Sequence, residues 1–156
     1  MLSLSVTPTA VKSFMGSLLR ETHFDHFLIR NIELTLTTHI SISGLIETED
    51  AEAKKSYISW GTIRSLVFDL IKRGDKPKLL KIVFSHPTPE DVHENAAALF
   101  LNMTYEKDSV SFITATAQQS FSLEKSLNST WDEFVKSFFI NIKLPVINNL
   151  ITDEEA

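Results

Sequence analysis

Histidines and carboxylates cluster twice in this chain, and both clusters are of the kind that holds a metal ion or moves a proton. His23, Asp25 and His26 form one set; His86, Glu90, Asp91, His93 and Glu94 form the other. Zinc takes imidazole nitrogen and carboxylate oxygen. A fold that gathered His23, Asp25, His26, His86 and His93 would therefore make a metal-dependent site. The spacings match no defined pattern: there is no His-Glu-x-x-His. His23 and His26 also precede a strand, where neighbouring side chains point to opposite faces. The competing reading is that Asp25 turns or caps the chain and the histidines lie at the surface.

Other chemistries are excluded by composition. The four glycines, Gly16, Gly44, Gly61 and Gly74, are nowhere closely paired. That removes the strained Gly-x-Ser-x-Gly turn of a serine hydrolase. It also removes glycine-rich phosphate loops and the dinucleotide fingerprint, so no cofactor is expected. With no cysteine there is no thiolate ligand, thiol nucleophile or disulfide, and a reducing compartment suits the chain. Arg73-Gly74-Asp75 is explained by Gly74 capping a helix.

Charge and aromatic content speak against nucleic acid. The net charge is −5 and the arginines are few: Arg20, Arg30, Arg64 and Arg73. Phosphate binding asks for clustered cations. The one basic stretch, Lys72-Arg73 with Lys76, Lys78 and Lys81, fits a helix end followed by a turn and a strand start. Trp60 and Trp131 each open an apolar-faced helix and are expected as core anchors rather than stacking platforms. No stretch approaches the length of a membrane span. The N-terminus lacks the basic and long apolar regions of an export signal. A cytoplasmic protein with no membrane partner is expected.

The elements that must carry these residues follow from periodicity. Leu2, Leu4 and Val6 alternate with serines, as in a strand. Thr7 and Pro8 start a helix with the stripe Val11, Phe14, Met15, Leu18 and Leu19. Residues 27–36 and 40–42 alternate with period two around Thr37-Thr38 and form a hairpin, and Gly44 ends or bulges it. Residues 47–55 read as an exposed acidic loop. Ser59 caps a helix with the stripe Ile63, Leu66, Val67, Leu70 and Ile71, with Arg64, Asp69 and Lys72 outside. Residues 79–84 are apolar on both faces, as in a central strand. After a break at His86 to Pro89 and a weak helical turn, strands at 99–105 and 110–112 flank a turn at Lys107-Asp108. Phe121 and Leu123 suggest a short further strand. Thr130 and Glu133 have the spacing of a capping box, opening a helix with Trp131, Phe134, Val135, Phe138 and Ile142 buried. Pro145 ends it.

This order predicts an α+β fold: a mostly antiparallel sheet of about six strands with two to three helices on one face. The order strand, helix, strand, strand, helix (β-α-β-β-α) occurs twice, which leaves a pseudo-two-fold duplication open. The 156 residues suit a single domain, with 144–156 as an apolar strap and frayed tail. That tail, Leu144, Val146, Ile147, Leu150 and Ile151, either packs on its own domain or contacts a second copy in a homo-oligomer.

Several stretches together resemble a family of uncharacterised proteins from clostridia and related bacteria. They are Val11-Lys12-Ser13-Phe14-Met15, Glu21-Thr22 with Phe24-Asp25-His26-Phe27-Leu28, and Ser59-Trp60 leading into Arg64. Lys81-Ile82-Val83-Phe84, Leu99-Phe100-Leu101-Asn102, and Ser122 to Leu127 with Trp131-Asp132-Glu133 complete them. The resemblance runs over roughly residues 8–140. It implies a fold and carries no catalytic residue. A non-catalytic binding or assembly module is the favoured reading, with a small-ligand or metal-dependent enzyme built on a His/carboxylate site as the alternative.

Overall fold

Alternation decides the architecture. In the computed structural model, which describes residues 1–73 and 76–149, the chain runs β1 (Ser3–Val6), a 3-10 turn (Pro8–Ala10), α1 (Val11–Arg20), β2 (Leu28–Thr35) and β3 (His39–Ser43). It continues through α2 (Trp60–Lys72), β4 (Leu79–Ser85), α3 (Pro89–Val92), β5 (Ala96–Glu106), β6 (Ser109–Gln118), α4 (Ser126–Asn141) and β7 (Val146–Asn148). The strands form one seven-stranded sheet in the order β3-β2-β4-β5-β6-β1-β7, and every neighbouring pair is antiparallel. The α+β class holds, with one strand more than expected, because the apolar tail supplies β7.

Register lines up the apolar residues in rows. Ile42, Ile32, Ile82, Met103, Phe112 and Leu4 are successive cross-strand partners. The next row, Ser41, Glu33, Lys81, Thr104, Ser111, Ser5 and Ile147, points the other way. Helices cover the apolar side. Phe112 meets Phe14 of α1 and Phe139 of α4, and Phe84 meets Trp60 of α2, all at aromatic contact distance. The opposite face is not covered by these helices; it mixes polar residues with Val83, Phe100 and Ile113, and Arg30 lies over Phe100 there.

Both tryptophans are core anchors, each fully buried. The Trp60 indole donates to the Leu18 carbonyl at 3.1 Å and the Trp131 indole to the Phe100 carbonyl at 2.9 Å. Each thus satisfies its one polar atom while burying a large apolar body. Thr114, also buried, accepts from the Leu2 amide at 2.8 Å and donates to Asp132 at 2.6 Å, so β1, β6 and α4 meet at one hydroxyl.

Several sequence expectations are corrected. Thr7 is the N-cap of a 3-10 turn that precedes α1, with Pro8 at its first position, but its side chain makes no capping bond; its hydroxyl donates to the Pro145 carbonyl at 3.2 Å. α4 begins at Ser126, a turn before Thr130, so Thr130 and Glu133 form no capping box. The reason is Leu127, which is buried four residues before Trp131 and extends the stripe through Val135 to Phe139. Phe121 and Leu123 lie in a loop, not a strand. Leu66 of α2 is exposed. Arg64 is part-buried, not on the outside. Gly74 as a cap, Asp75, Leu150 and Ile151 lie outside the described residues. The element order recurs in the two halves, but β1 sits between β6 and β7 whereas β4 sits between β2 and β5.

Gly44 ends β3 where the chain turns back across β2. Its amide donates to the Arg30 carbonyl at 3.1 Å and its carbonyl accepts from Ile58 at 2.8 Å. A Cβ placed there would overlap the Ile29 carbonyl oxygen. Gly44→Ala is therefore expected to destabilise the fold by about 3 kcal/mol. The check is a lower urea midpoint with an unchanged slope; an unaltered midpoint would show that β2 yields freely at this crossing.

Candidate functional site

The segment 21–27 joins α1 to β2, and its first duty is to cap α2. The Trp60 amide donates to the Phe27 carbonyl at 2.8 Å and the Gly61 amide to the Asp25 carbonyl at 3.1 Å. The Thr62 amide donates to the Ser59 hydroxyl at 3.3 Å. Three donors left open by helix geometry are thereby satisfied. The Asp25 carboxylate takes a two-point bond from Arg64, Nε to Oδ1 at 2.9 Å and Nη2 to Oδ2 at 3.1 Å. This fork fixes both side chains.

The histidines go to different partners. His23 pairs with Glu21 at 2.9 Å on the surface. His26 stacks on Phe27 and meets the edge of Phe138. His86 meets Trp131 and Phe134 edge-on, and its Nδ1 accepts from the Thr88 amide at 3.0 Å. His93 accepts from the Asn95 amide at 3.0 Å and contacts Ser126 at 3.1 Å. Of the expected set, His26 lies close enough to feel the charge of Asp25, and His86 that of His26. Among the described residues, no group of three or more His, Asp or Glu side chains is arranged to hold a metal ion.

Partial burial shifts both of these rings. His26 is exposed as a whole residue, but its ring is covered by Phe27, and burial lowers its pKa from the ordinary value against the opposing pull of Asp25. His86 is lowered by burial and then by the charge of His26, with Asp91 and Glu90 opposing.

One constellation escaped the sequence reading. Thr35 and His39 face each other across the β2–β3 hairpin, with the Thr35 hydroxyl 2.9 Å from His39 Nδ1. His39 Nε2 contacts the Glu33 carboxylate. That carboxylate also accepts from Asn31 and Ser41, each at 3.0 Å. These bonds, Asn31 first and Ser41 next, hold Glu33 below its ordinary pKa. The order hydroxyl, imidazole, carboxylate is that of nucleophilic catalysis. Here it lies on the uncovered sheet face with His39 exposed, so water competes for every member. What it accomplishes is to pin the hairpin register. The sequence signal was the shared parity of Glu33, Thr35 and His39 about a short turn.

The most distinctive surface feature is the loop 119–125 between β6 and α4. Asn95 Oδ1 accepts from the Ser120 amide at 3.0 Å and its hydroxyl at 3.1 Å, while Asn95 Nδ2 donates to the Ser120 carbonyl at 3.0 Å. Gln118 grips Ser122 in the same way, amide and carbonyl, each at 3.1 Å. Two side-chain amides thus clamp the backbone on either side of Phe121. The clamped loop holds Phe121 at 85% and Leu123 at 86% exposure. Beside them lies a polar hollow of ≈ 550 Å³ lined by His93, Asn95, Gln118, Ser120 and Ser126. Ser126 is not an activated nucleophile. Because His93 Nδ1 accepts the hydrogen bond of the Asn95 amide, the ring hydrogen sits on Nε2 and is donated to Ser126, so Nε2 has no lone pair to take the serine proton.

A family model described as a family of unknown function (DUF5721) matches residues 17–146. Comparison with curated proteins and with solved structures finds no match.

The lowered His26 and His86 pKa values set a pH dependence. Folding favours their neutral forms, so their contribution is fully present above the unfolded value of 6.5 and is lost as pH falls through the folded values. The thermal midpoint is expected to drop between about pH 7.5 and about pH 5. The drop should be smaller in a His26→Gln, His86→Asn variant, as followed by scanning calorimetry. Equal slopes for the two proteins would show that other groups govern this window.

Proposed function

Since this chain belongs to DUF5721, a family of unknown function, its role is read from its own surface, and we propose that it is a non-catalytic assembly module that pairs with a second copy of itself through loop 119–125. The observation that carries this reading is the clamped presentation of Phe121 and Leu123 to solvent. Large apolar side chains held out on a braced loop lose little conformational entropy when covered, which favours association. A second copy is the fitting occupant because Glu124 and Lys125 lie side by side next to the two apolar residues. A two-fold contact sets each Glu124 against the other copy's Lys125 and closes on itself.

The apolar tail offers less for such a contact. Leu144 and Val146 pack on the core of the same chain, and β7 pairs with β1. Ile147 remains exposed there. The outer sheet face, mostly Ser, Thr and Asn with Lys81 among them, and the net charge of −5 favour a protein partner over nucleic acid. No helix among the described residues is long and apolar enough to cross a membrane. A cytoplasmic location accompanies this reading, to which the absence of cysteine is suited.

A second reading, a metal-dependent or small-ligand enzyme, rests on the approach of His26 to His86. It requires Glu90 or Asp91 to close on the pair, since zinc takes three or four protein donors. Stoichiometric zinc uptake that is lost in His26→Ala and His86→Ala would favour it; no uptake would end it.

Sedimentation velocity over a concentration series tests the assembly reading. The wild type is expected to show a reversible monomer–dimer equilibrium. The Phe121→Ser, Leu123→Ser variant should stay monomeric with an unchanged thermal midpoint, because neither side chain is buried. A wild type that remains monomeric throughout, or a variant that dimerises equally well, overturns the reading.

A further inference from the structure

At the opposite end of β5 and β6 from loop 119–125, α1 and α2 part above the β5–β6 hairpin and leave a hollow of ≈ 540 Å³. Its wall is aliphatic: Val11, Met15 and Leu19 from α1, Ile71 from α2, with Pro8 and Pro77. Polar groups stand at its mouth. The Tyr105 hydroxyl donates to Asp108 at 3.3 Å, and Asp108 pairs with Lys76. Lys12 also lines the hollow, and no ion pair engages it among the described residues.

A shallower hollow adjoins the first through Lys76, Pro77, Tyr105 and Asp108, and adds Lys78 and Lys107 with Glu106. Among the described residues around the joined mouth, four lysines (Lys12, Lys76, Lys78, Lys107) face two acids (Asp108, Glu106). This local excess of positive charge occurs in a chain whose net charge is −5. The hollow has the size and the mainly apolar wall with few polar groups that small-ligand sites share.

We infer that this hollow binds a small amphipathic monoanion, with an aliphatic tail against Val11, Met15, Leu19 and Ile71 and a carboxylate head at Lys12 and Lys76. The aliphatic wall selects a flexible hydrocarbon over a flat aromatic ring, for which a site supplies stacking faces. The head is set by charge: an anion gains Lys12 without displacing any partner, while a cation would meet the lysine excess. Tyr105 lies at the mouth, where its hydroxyl is held by Asp108. The site shares no residue with loop 119–125, so it stands or falls independently of the assembly reading.

Calorimetric titration with dodecanoate, below its micelle threshold, tests the inference, with dodecyltrimethylammonium as the same tail carrying the opposite charge. Saturable binding of one dodecanoate per chain is expected, with the ammonium compound at least about tenfold weaker. Each methylene removed from the tail should weaken binding about fourfold. Lys12→Glu, an exposed change that leaves the fold intact, should weaken dodecanoate binding about three- to fivefold. Met15→Trp should fill the hollow and abolish binding. If that variant does not fold, the head-group comparison and Lys12→Glu decide by themselves. No saturable uptake of dodecanoate, equal uptake of both head groups, or binding unaffected by Lys12→Glu overturns the inference.

Discussion

Along six neighbouring strands, apolar residues at alternate positions point the same way, and water must be kept from that surface if the chain is to stay folded. Burying each Leu, Ile or Phe side chain contributes roughly 1.5–3 kcal/mol. A one-residue slip in register would turn the whole row from Ile42 to Leu4 outward. The row therefore locks strand register, and the helices are placed by what they cover. Trp60 and Trp131 sit over it, each tied by its indole nitrogen to a backbone carbonyl. α2 is held further by segment 21–27, whose carbonyls take its first amides and whose Asp25 takes Arg64. The interior of the sheet supplies rigidity, and both proposed contact surfaces lie near the ends of β5 and β6.

At those ends the molecule divides its surface. One end of β5 and β6 bears the loop clamped by Asn95 and Gln118, which shows apolar side chains to solvent. The other bears the hollow between α1 and α2 with its lysine rim. Between them, on the helical side, His26 and His86 lie among Phe134, Phe138 and Trp131, and partial burial lowers the pKa of both. The uncovered face contributes the Thr35–His39–Glu33 relay, whose bonds run across a hairpin and stabilise its register. Three polar groups that resemble catalytic parts hold structural partners: Asp25 with Arg64, His93 with the Asn95 amide, Glu33 with Asn31 and Ser41.

Local pattern was enough wherever a signal is carried by neighbours in sequence. The two-residue alternation of Leu2, Leu4 and Val6, the helical stripe from Val11 to Leu19, the Ser59 cap and the Lys107-Asp108 turn all read directly, since each depends on residues within a few positions. Reading failed where a distant partner chose between local options. Thr130-Trp131-Asp132-Glu133 has the spacing of a capping box, yet burial of Leu127 against the core started α4 a turn earlier. Thr7 looked like a cap, yet its hydroxyl reaches Pro145, far along the chain. Phe121 and Leu123 alternate as a strand does, yet Asn95 and Gln118 draw that stretch into a loop and turn both side chains outward.

By itself, then, the amino-acid order determined the α+β class, the element order, the buried tryptophans and the absence of any glycine- or cysteine-based catalytic motif, because periodicity and composition are local or global sums that need no coordinates. Only tertiary structure decided that His23, Asp25, His26, His86 and His93 go to separate partners, that the tail becomes β7, and that an apolar hollow opens between α1 and α2. Convergence of side chains is a property of distances between residues remote in sequence. Those distances are set by register across the sheet and by the packing of helices on it, neither of which a linear pattern records.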